Sequence, residues 1–220
     1  MVIYENGNPS VFQQISNDAK KILDVGCGSG SFGQAIKNKI NGEVVGITYS
    51  EEEAKLASNR LDKVIVKDLN YLDFIDLDIE SFDCIICSHV LEHLYWPQDF
   101  LKKLSQVANP NCKLIVALPN VLTISQRLKF LKGDFKYTDC GMMDRTHFRF
   151  FDWDTSLELV ENSGFKVVKR WADGYFPLPG IRKYIKPLAS YIDQIALKAM
   201  PGLFGIQFVL IAYPSGKEPV

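Results

Sequence analysis

The fold of this chain can be inferred from the stretch LDVGCGSG (Leu23–Gly30), in which three alternating glycines follow a short apolar run. Glycine tolerates positive φ angles, so the chain can turn sharply here, and it carries no side chain that would obstruct a ligand. The segment Ser31–Ile40 follows at once, and the free N–H groups at the start of such a helix favour an anionic group. The stretch therefore predicts a strand, a glycine turn and a helix that together hold a ligand.

Short apolar runs alternate with helix-like segments on either side of this turn. Strands are predicted at Lys21–Val25, Val44–Thr48, Val64–Val66, Phe82–Cys87 and Leu114–Leu118, and helices at Ser31–Ile40, Glu51–Arg60 and Pro97–Val107. Ser50 and Glu53 form a capping-box pattern before the second of these helices. Near-continuous apolar strands suit a sheet that is covered on both faces. The alternation therefore predicts an α/β fold with a doubly wound, mainly parallel sheet.

The alternation becomes less regular after Leu118. Within 119–152 we predict a long loop with one short helix at Ile124–Leu131, and beyond it a helix at Asp152–Ser163, a strand at Phe165–Trp171, a helix at Ala189–Met200 and a final strand at Phe204–Ala212. A chain of 220 residues usually forms one domain. We therefore expect a single domain, 1–220, whose segments at about 119–146 and 175–200 cover the sheet.

Composition and charge exclude several classes of protein. The net charge of −1 argues against broad electrostatic capture of nucleic acid. Met1–Ser10 has neither the basic nor the apolar region of a secretion signal. The longest apolar stretch, Leu203–Pro214, is shorter than the roughly 20 residues that cross a bilayer. An odd count of five cysteines suggests free thiols, so we expect a cytoplasmic protein.

Cysteines and histidines are not spaced like metal ligands. Cys84 and Cys87 form a C-x-x-C pattern inside an apolar strand, where residues three apart point to opposite faces. We therefore interpret both as packing residues. The three histidines, His89, His93 and His147, show no Cys/His ligand spacing, so no metal site is predicted.

Two kinds of nucleotide site fit the glycine turn. Gly28–Gly33 matches the dinucleotide pattern G-x-G-x-x-G, which also requires an acid about 20 residues later. The second strand ends in GITYS (Gly46–Ser50) without an acid. Asp24, just before the turn, is better explained by a cationic group such as the α-ammonium of S-adenosylmethionine (SAM). A nicotinamide-dependent oxidoreductase is therefore the less favoured interpretation.

Five stretches, in order along the chain, resemble class I SAM-dependent methyltransferases. They are LDVGCGSG, the first motif; VKDL at Val66–Leu69, the third-strand acid; FDCIICSHVLEH at Phe82–His93, the fourth-strand signature ending V-L-E-H; LIVALPN at Leu114–Asn120, the fifth strand; and DRTHFRFF at Asp144–Phe151. The last, followed by Gly164 and Phe165, resembles a bacterial subgroup whose members often modify sugars, quinones or other small acceptors. The resemblance spans roughly residues 20–170. It implies a Rossmann-like sheet of seven strands with an antiparallel last strand.

The resemblance also implies that SAM is the cofactor and which residues contact it. For the methionine half these are Asp24 at the ammonium, Gly26, Gly28 and Gly30 in the loop, and Ser88 and His89 beneath it. Asp68 and Leu69 would meet the adenine, although Asp68 could also be an ordinary turn residue. Thr48 stands where the family has a carboxylate for the ribose diol, with Tyr49 near the adenine. A neutral hydroxyl binds more weakly than a carboxylate, which predicts modest affinity for SAM.

Methyl transfer requires alignment of the acceptor, the methyl carbon and the sulfur, and a hydroxyl acceptor can also need a base. His147 is the first candidate for that base, with His93 and His89 behind it and Asp144 placed to orient or tune it. The leading hypothesis is transfer from SAM to a small-molecule acceptor, most simply an oxygen on a sugar or related metabolite. A SAM-binding regulator or scaffold without catalysis is the alternative that Thr48 keeps open.

The segment Tyr175–Met200 mixes apolar and aromatic residues with basic ones, Arg182, Lys183, Lys186 and Lys198. Its simpler interpretation is an arm that packs over the sheet. A second hypothesis is a surface helix that touches a membrane or a lipid-linked acceptor, which flotation with anionic vesicles would check.

Overall fold

Seven strands form one sheet in the computed structural model, which describes residues 7–74, 77–180 and 182–216. The strands are β1 (Lys21–Val25), β2 (Glu43–Thr48), β3 (Lys63–Val66), β4 (Cys84–Ser88), β5 (Lys113–Pro119), β6 (Phe165–Gly174) and β7 (Gly205–Pro214). Their order across the sheet is β3-β2-β1-β4-β5-β7-β6. The first five strands are parallel, and β7 runs antiparallel between β5 and β6. The predicted class I methyltransferase topology is confirmed.

Helices cover both faces of the sheet. Those in the described residues are α1 (Pro9–Phe12), α2 (Ser31–Lys39), α3 (Glu51–Ala57), α4 (Pro97–Val107), α5 (Ile124–Leu131), α6 (Trp153–Glu161), α7 (Lys186–Ala199) and α8 (Pro201–Phe204). The predicted helices all exist, with differences at their ends. The helix predicted from Ala189 begins at Lys186 because Pro187 lies in its first turn, where a missing N–H costs nothing.

One predicted detail, the capping box before α3, is only half formed. Ser50 Oγ accepts a hydrogen bond from the Glu53 N–H at 3.3 Å, as expected of an N-cap. The N–H of Ser50, which a capping-box glutamate would accept, donates instead to Thr48 Oγ1 at 3.4 Å. The Glu53 carboxylate is therefore not used by the helix end, and it turns towards Thr48.

The hydrophobic core lies in two clusters, one on each face of the sheet. Cys84 belongs to one cluster and Cys87 to the other, so the two thiols lie on opposite faces, as the period of a strand requires. Both are buried and free. The prediction that this C-x-x-C pair packs in the core is confirmed.

The glycine turn after β1 lies beside the carboxyl ends of β2 and β4. The N–H groups of Gly26 and Cys27 both donate to the Ile47 carbonyl at 2.9 Å, which ties the turn to β2. A side chain after β4, that of Val90, packs against Gly26. Since β1 separates strands that continue in opposite directions across the sheet, this is the switch point at which α/β folds bind ligands.

Asn120, at the end of β5, joins the central sheet to the C-terminal elements. It is fully buried, and its Nδ2 donates to the carbonyls of Gly205 at 2.7 Å and Gly202 at 3.0 Å. Its Oδ1 accepts from the Leu122 N–H at 2.9 Å. A single amide thus fixes the turn between α8 and β7 and the start of the segment that leads to α5.

The helix α7 packs against β6 and α8 and leaves Leu188, Tyr191 and Ile195 more than half exposed. No helix in the described residues combines the length and apolarity that a bilayer crossing demands. Contact of this helix with a membrane surface stays a prediction, as do the single-domain boundaries. The interpretation of the chain start falls largely outside the described residues, which begin at residue 7.

Asn120→Ala is expected to lower the free energy of unfolding by about 2–4 kcal/mol, because it removes three hydrogen bonds of a fully buried amide, one of them to the buried carbonyl of Gly205. Chemical denaturation monitored by circular dichroism measures this change. Asn38→Ala, on the exposed face of α2, is the matched control and should change stability by less than about 0.5 kcal/mol. Equal stabilities of the two variants would contradict the assigned role.

Candidate active site

The glycine turn is tightly packed against a neighbouring side chain at Gly26 and open at Gly28. Gly26, Gly28 and Gly30 all have positive φ angles, of 74°, 53° and 80°. A Cβ on Gly26 would lie 2.7 Å from Cγ2 of Val90, so no side chain fits there. A Cβ on Gly28 would meet only Glu53 Oε1, at 3.9 Å. The turn therefore presents bare backbone to the space beside Gly28.

Asp24 carries a buried carboxylate, one oxygen of which has no partner among the described residues. The residue is 3% exposed, and its Oδ2 accepts no hydrogen bond from the described residues. Burial raises its pKa to about 7, because a charge removed from water is costly. A cationic group placed beside this oxygen would relieve that cost. The residues present therefore fit the α-ammonium of SAM.

The end of β2 contains a pair that the sequence analysis missed. Thr48 is 4% exposed, and its Oγ1 donates to Glu53 Oε2 at 2.9 Å. The hydroxyl proposed to contact the ribose is thus already committed to a carboxylate from the first turn of α3. Tyr49 beside it is 74% exposed and free to pack on a ligand. Glu53 had stood out in the sequence only as a capping residue.

The third-strand acid lies at the surface. Asp68 Oδ1 accepts from the N–H of Asn70 at 2.9 Å and from its Nδ2 at 3.0 Å, and so caps the short 3-10 turn Leu69–Tyr71. Leu69 is buried beneath that turn. Asp68 therefore acts as a turn residue through Oδ1, as one of the two interpretations expected. A contact between its other carboxylate oxygen and adenine stays a prediction.

The end of β4 holds a strained histidine. His89 is the one non-glycine residue with positive φ, 54°, in the described part of the chain, a conformation that costs energy and concentrates at functional sites. Its Nε2 lies 2.8 Å from Gln207 Oε1 and its Nδ1 lies 3.4 Å from Glu92 Oε1. Burial lowers the pKa of His89, but the Glu92 carboxylate raises it, with a net increase. Ser88 Oγ accepts from Asn8 Nδ2 at 3.3 Å.

His147 and His93 lie together above this strand end. Their ring centroids are 4.7 Å apart with an interplanar angle of 73°. His147 Nδ1 lies 3.2 Å from the Met142 carbonyl, which can only accept, so Nδ1 carries the proton and Nε2 keeps its lone pair. Burial lowers the pKa of His147, and Glu92 and Asp144 oppose that only in part. His147 is therefore neutral at pH 7 and can accept a proton.

The Asp144 carboxylate makes no hydrogen bond to the His147 ring among the described residues, although the Asp144 carbonyl accepts the His147 N–H at 3.0 Å. Its Oδ1 accepts from Thr146 N at 2.8 Å and from Thr146 Oγ1 at 2.7 Å. Thr146 in turn contacts His93 Nδ1 through its carbonyl, at 3.2 Å. Asp144 thus positions the loop, and its charge acts to raise the pKa of His147, so its predicted role of orienting or tuning His147 stays a prediction.

Three potential metal ligands meet at the same place. Donor atoms of Glu92, His93 and His147 all lie within 4.8 Å of one another, and Glu92 Oε2 is buried without a partner among the described residues. Spacing along the chain did not indicate this group, because His147 arrives from a separate loop whose Phe148 and Arg149 N–H groups donate to the Glu92 carbonyl. The expectation that no metal binds stays a prediction.

The chain is similar to known methyltransferases over most of its length. A family model described as a methyltransferase domain matches residues 23–114. The ubiquinone biosynthesis O-methyltransferase of Coxiella burnetii (strain Dugway 5J108-111) is 32% identical over 170 residues, which cover 76% of this chain and 72% of that relative. Alignments with the proteins of the same name from other strains cover 47% of those relatives.

A more distant relative and a solved structure extend the match. A protein of Methanocaldococcus jannaschii described as uncharacterized is 27% identical over 209 residues, 86% of this chain and 80% of its own. The crystal structure of a SAM-dependent methyltransferase from Archaeoglobus fulgidus superimposes with a TM-score of 0.62 at 20% identity, and covers 90% of this chain and 87% of its own. That likeness supports the fold.

Asp24→Asn is expected to stabilise the ligand-free protein increasingly as the pH rises from about 4 to 7. The unfolded chain ionises Asp24 near pH 3.8, whereas the folded wild type holds the proton until about pH 7, so the wild type alone loses stability over that interval. Above pH 7 the gain should level off, on the order of 4 kcal/mol. Chemical denaturation between pH 4 and 8 measures it.

The same variant is expected to bind S-adenosylhomocysteine at least about 10-fold more weakly at pH 8, because an amide offers the ammonium no charge. Calorimetry measures this affinity. Asp18→Asn, at an exposed position, is the control for both measurements and should resemble the wild type. A stability difference that does not vary with pH would show that Asp24 is not the buried, protonated group described above.

Proposed function

Since the chain belongs to the class I SAM-dependent methyltransferases, we propose that it transfers the methyl group of SAM to an oxygen atom of a small-molecule acceptor. SAM is the cofactor, and methyl transfer from it is the class of reaction. This assignment replaces both the oxidoreductase and the non-catalytic scaffold considered from the sequence. The choice of oxygen is supported by the O-methyltransferase name of the 32% identical relative.

The single observation that carries the proposal is a proton acceptor at the end of β4. His147 Nε2 has a free lone pair because Nδ1 donates to the Met142 carbonyl, and its lowered pKa keeps it neutral at pH 7. An acceptor hydroxyl is a weak nucleophile until a base receives its proton. A nitrogen or thiolate acceptor would need this base much less.

SAM supplies an electrophilic methyl group on a sulfonium that leaves readily. An acceptor oxygen would take the methyl group as the carbon–sulfur bond breaks and its electron pair stays on sulfur, and His147 Nε2 would receive the hydroxyl proton. The buried Glu92 carboxylate favours the imidazolium that results, as its opposing effect on the pKa of His147 indicates. The remaining task of the protein is alignment, which Asp24 and the glycine turn provide at the methionine end.

The acceptor we propose is a sugar or a related metabolite. A phenol or quinol is the second candidate, favoured by the word ubiquinone in the name of the relative. The exposed apolar residues of α7, Leu188, Tyr191 and Ile195, would suit an acceptor with an apolar tail. These acceptors share a hydroxyl nucleophile and differ in its acidity and in the surface that surrounds it.

Incubation of the protein with methyl-labelled SAM and two acceptor panels tests this function. One panel holds free and nucleotide-linked sugars, and the other holds catechols and hydroxybenzoates with and without an apolar tail. We expect label in an ether linkage, identified by mass spectrometry and stable to mild base. Label found only on nitrogen or sulfur, or no transfer to either panel, would contradict the proposal.

His147→Gln is expected to lower kcat about 10²- to 10⁴-fold and to leave S-adenosylhomocysteine affinity within about 2-fold, because the base is used only in the chemical step. The wild-type kcat should rise with pH through a pKa below 6.5 and then level off, since the neutral imidazole is the active form. His93→Gln, the matched variant, should lose less. A larger decrease in kcat for His93→Gln than for His147→Gln would contradict the assignment and indicate that His93 is the base.

A further inference from the structure

The carboxylate that the family places at the end of β2 is absent from Thr48 but present beside it. Thr48 Oγ1 donates to Glu53 Oε2 at 2.9 Å, and the threonine is 4% exposed. The hydroxyl also accepts from the Ser50 N–H at 3.4 Å. Thr48 is therefore held on both sides and acts as a support for Glu53, with no hydroxyl hydrogen left for a ligand.

The other oxygen of this carboxylate lies beside the open position at Gly28. Glu53 Oε1 is the nearest atom to a Cβ placed on Gly28, at 3.9 Å, and nothing else lies within 4 Å of that position. No hydrogen bond to Oε1 and no ion pair of Glu53 occur among the described residues. Its neighbour Glu52 accepts from Ser50 Oγ at 2.9 Å, and Glu51 is exposed. Thr48 thus orients the Glu53 carboxylate through Oε2, and Oε1 keeps no partner among the described residues.

A structural role in the helix end does not account for Glu53. A capping-box glutamate would accept the N–H of Ser50, yet that N–H goes to Thr48 Oγ1. The N-cap bond of α3 is made by the backbone N–H of residue 53 to Ser50 Oγ and needs no glutamate side chain. The carboxylate is thus free for another partner.

We propose that Glu53, from the first turn of α3, binds the ribose diol of SAM, and that Thr48 is the residue that positions it. The proposal rests on the SAM-binding site described above. A carboxylate can accept hydrogen bonds from two vicinal hydroxyls, and its charge makes them stronger than those of a neutral acceptor. If Glu53 binds the ribose, the affinity for SAM should not be lowered by the neutral Thr48, contrary to the expectation from the sequence.

Calorimetry with S-adenosylhomocysteine and its 2′-deoxy and 3′-deoxy analogues tests the assignment without any acceptor. The wild type should bind at least one deoxy analogue about 10-fold or more weakly than the parent compound. Glu53→Gln should weaken the parent by about 10- to 100-fold and the deoxy analogues much less, so that the discrimination falls to within about 3-fold. Glu51→Gln, which removes a charge from the same helix turn, should match the wild type.

The supporting role of Thr48 has its own variants. Thr48→Val removes the donor to Glu53 with little change in size and should reduce the ribose discrimination, whereas Thr48→Ser keeps the donor and should retain it. The double variant Thr48→Asp with Glu53→Gln returns the carboxylate to the strand end, and we expect it to recover the discrimination that Glu53→Gln loses. A melting curve of each variant confirms that it is folded.

Two results would overturn the proposal. One is a wild type that binds the deoxy analogues as tightly as the parent, a measurement that needs no variant. The other is a Glu53→Gln protein that keeps the full discrimination. Neither depends on methyl transfer: a protein that discriminates through Glu53 but methylates no acceptor would contradict the proposed function and leave this inference standing.

Discussion

The whole site depends on the close contact between the glycine turn and the ends of its two neighbouring strands. Two successive N–H groups, of Gly26 and Cys27, converge on the Ile47 carbonyl, and Val90 fills the space where a Cβ of Gly26 would lie. This geometry needs positive φ angles and an absent side chain. It places bare backbone, the end of β2 and the end of β4 around one cleft.

Several polar groups around that cleft do not contribute to the stability of the fold. Asp24 Oδ2 and Glu92 Oε2 are buried without partners among the described residues, and a polar atom buried without a hydrogen bond costs stability. His89 adds a strained backbone on the same side. Such costs persist where a ligand or a reaction offsets them, and here they surround the place where we propose that SAM and the acceptor bind.

The sequence indicated the candidate site residues that lie close together in one motif. It did not indicate the contacts between residues that folding brings together from separate segments. Asp24 and the three glycines lie within one turn, so their spacing alone indicated a cationic ligand. Glu53 was overlooked because the pattern around Ser50 equally describes a helix cap, and only the hydrogen bonds of Thr48 decide between the two uses. The hydrogen bond from Thr146 to the Asp144 carboxylate was not foreseen for a similar reason, while the effect of the Asp144 charge on the pKa of His147 fits the tuning role proposed from the sequence.

The sequence by itself determined the order of strands and helices, the sheet class, the glycine turn and the packing of the C-x-x-C pair, because these follow from local periodicity and from the absence of a side chain at particular positions. Tertiary structure decided which polar groups share the cleft. Glu92 and His147 are 55 positions apart and meet because the loop after α5 donates two backbone N–H groups to the Glu92 carbonyl, in the segment that follows β4. Hydrogen bonds between distant segments depend on three-dimensional position, which no spacing along the chain records.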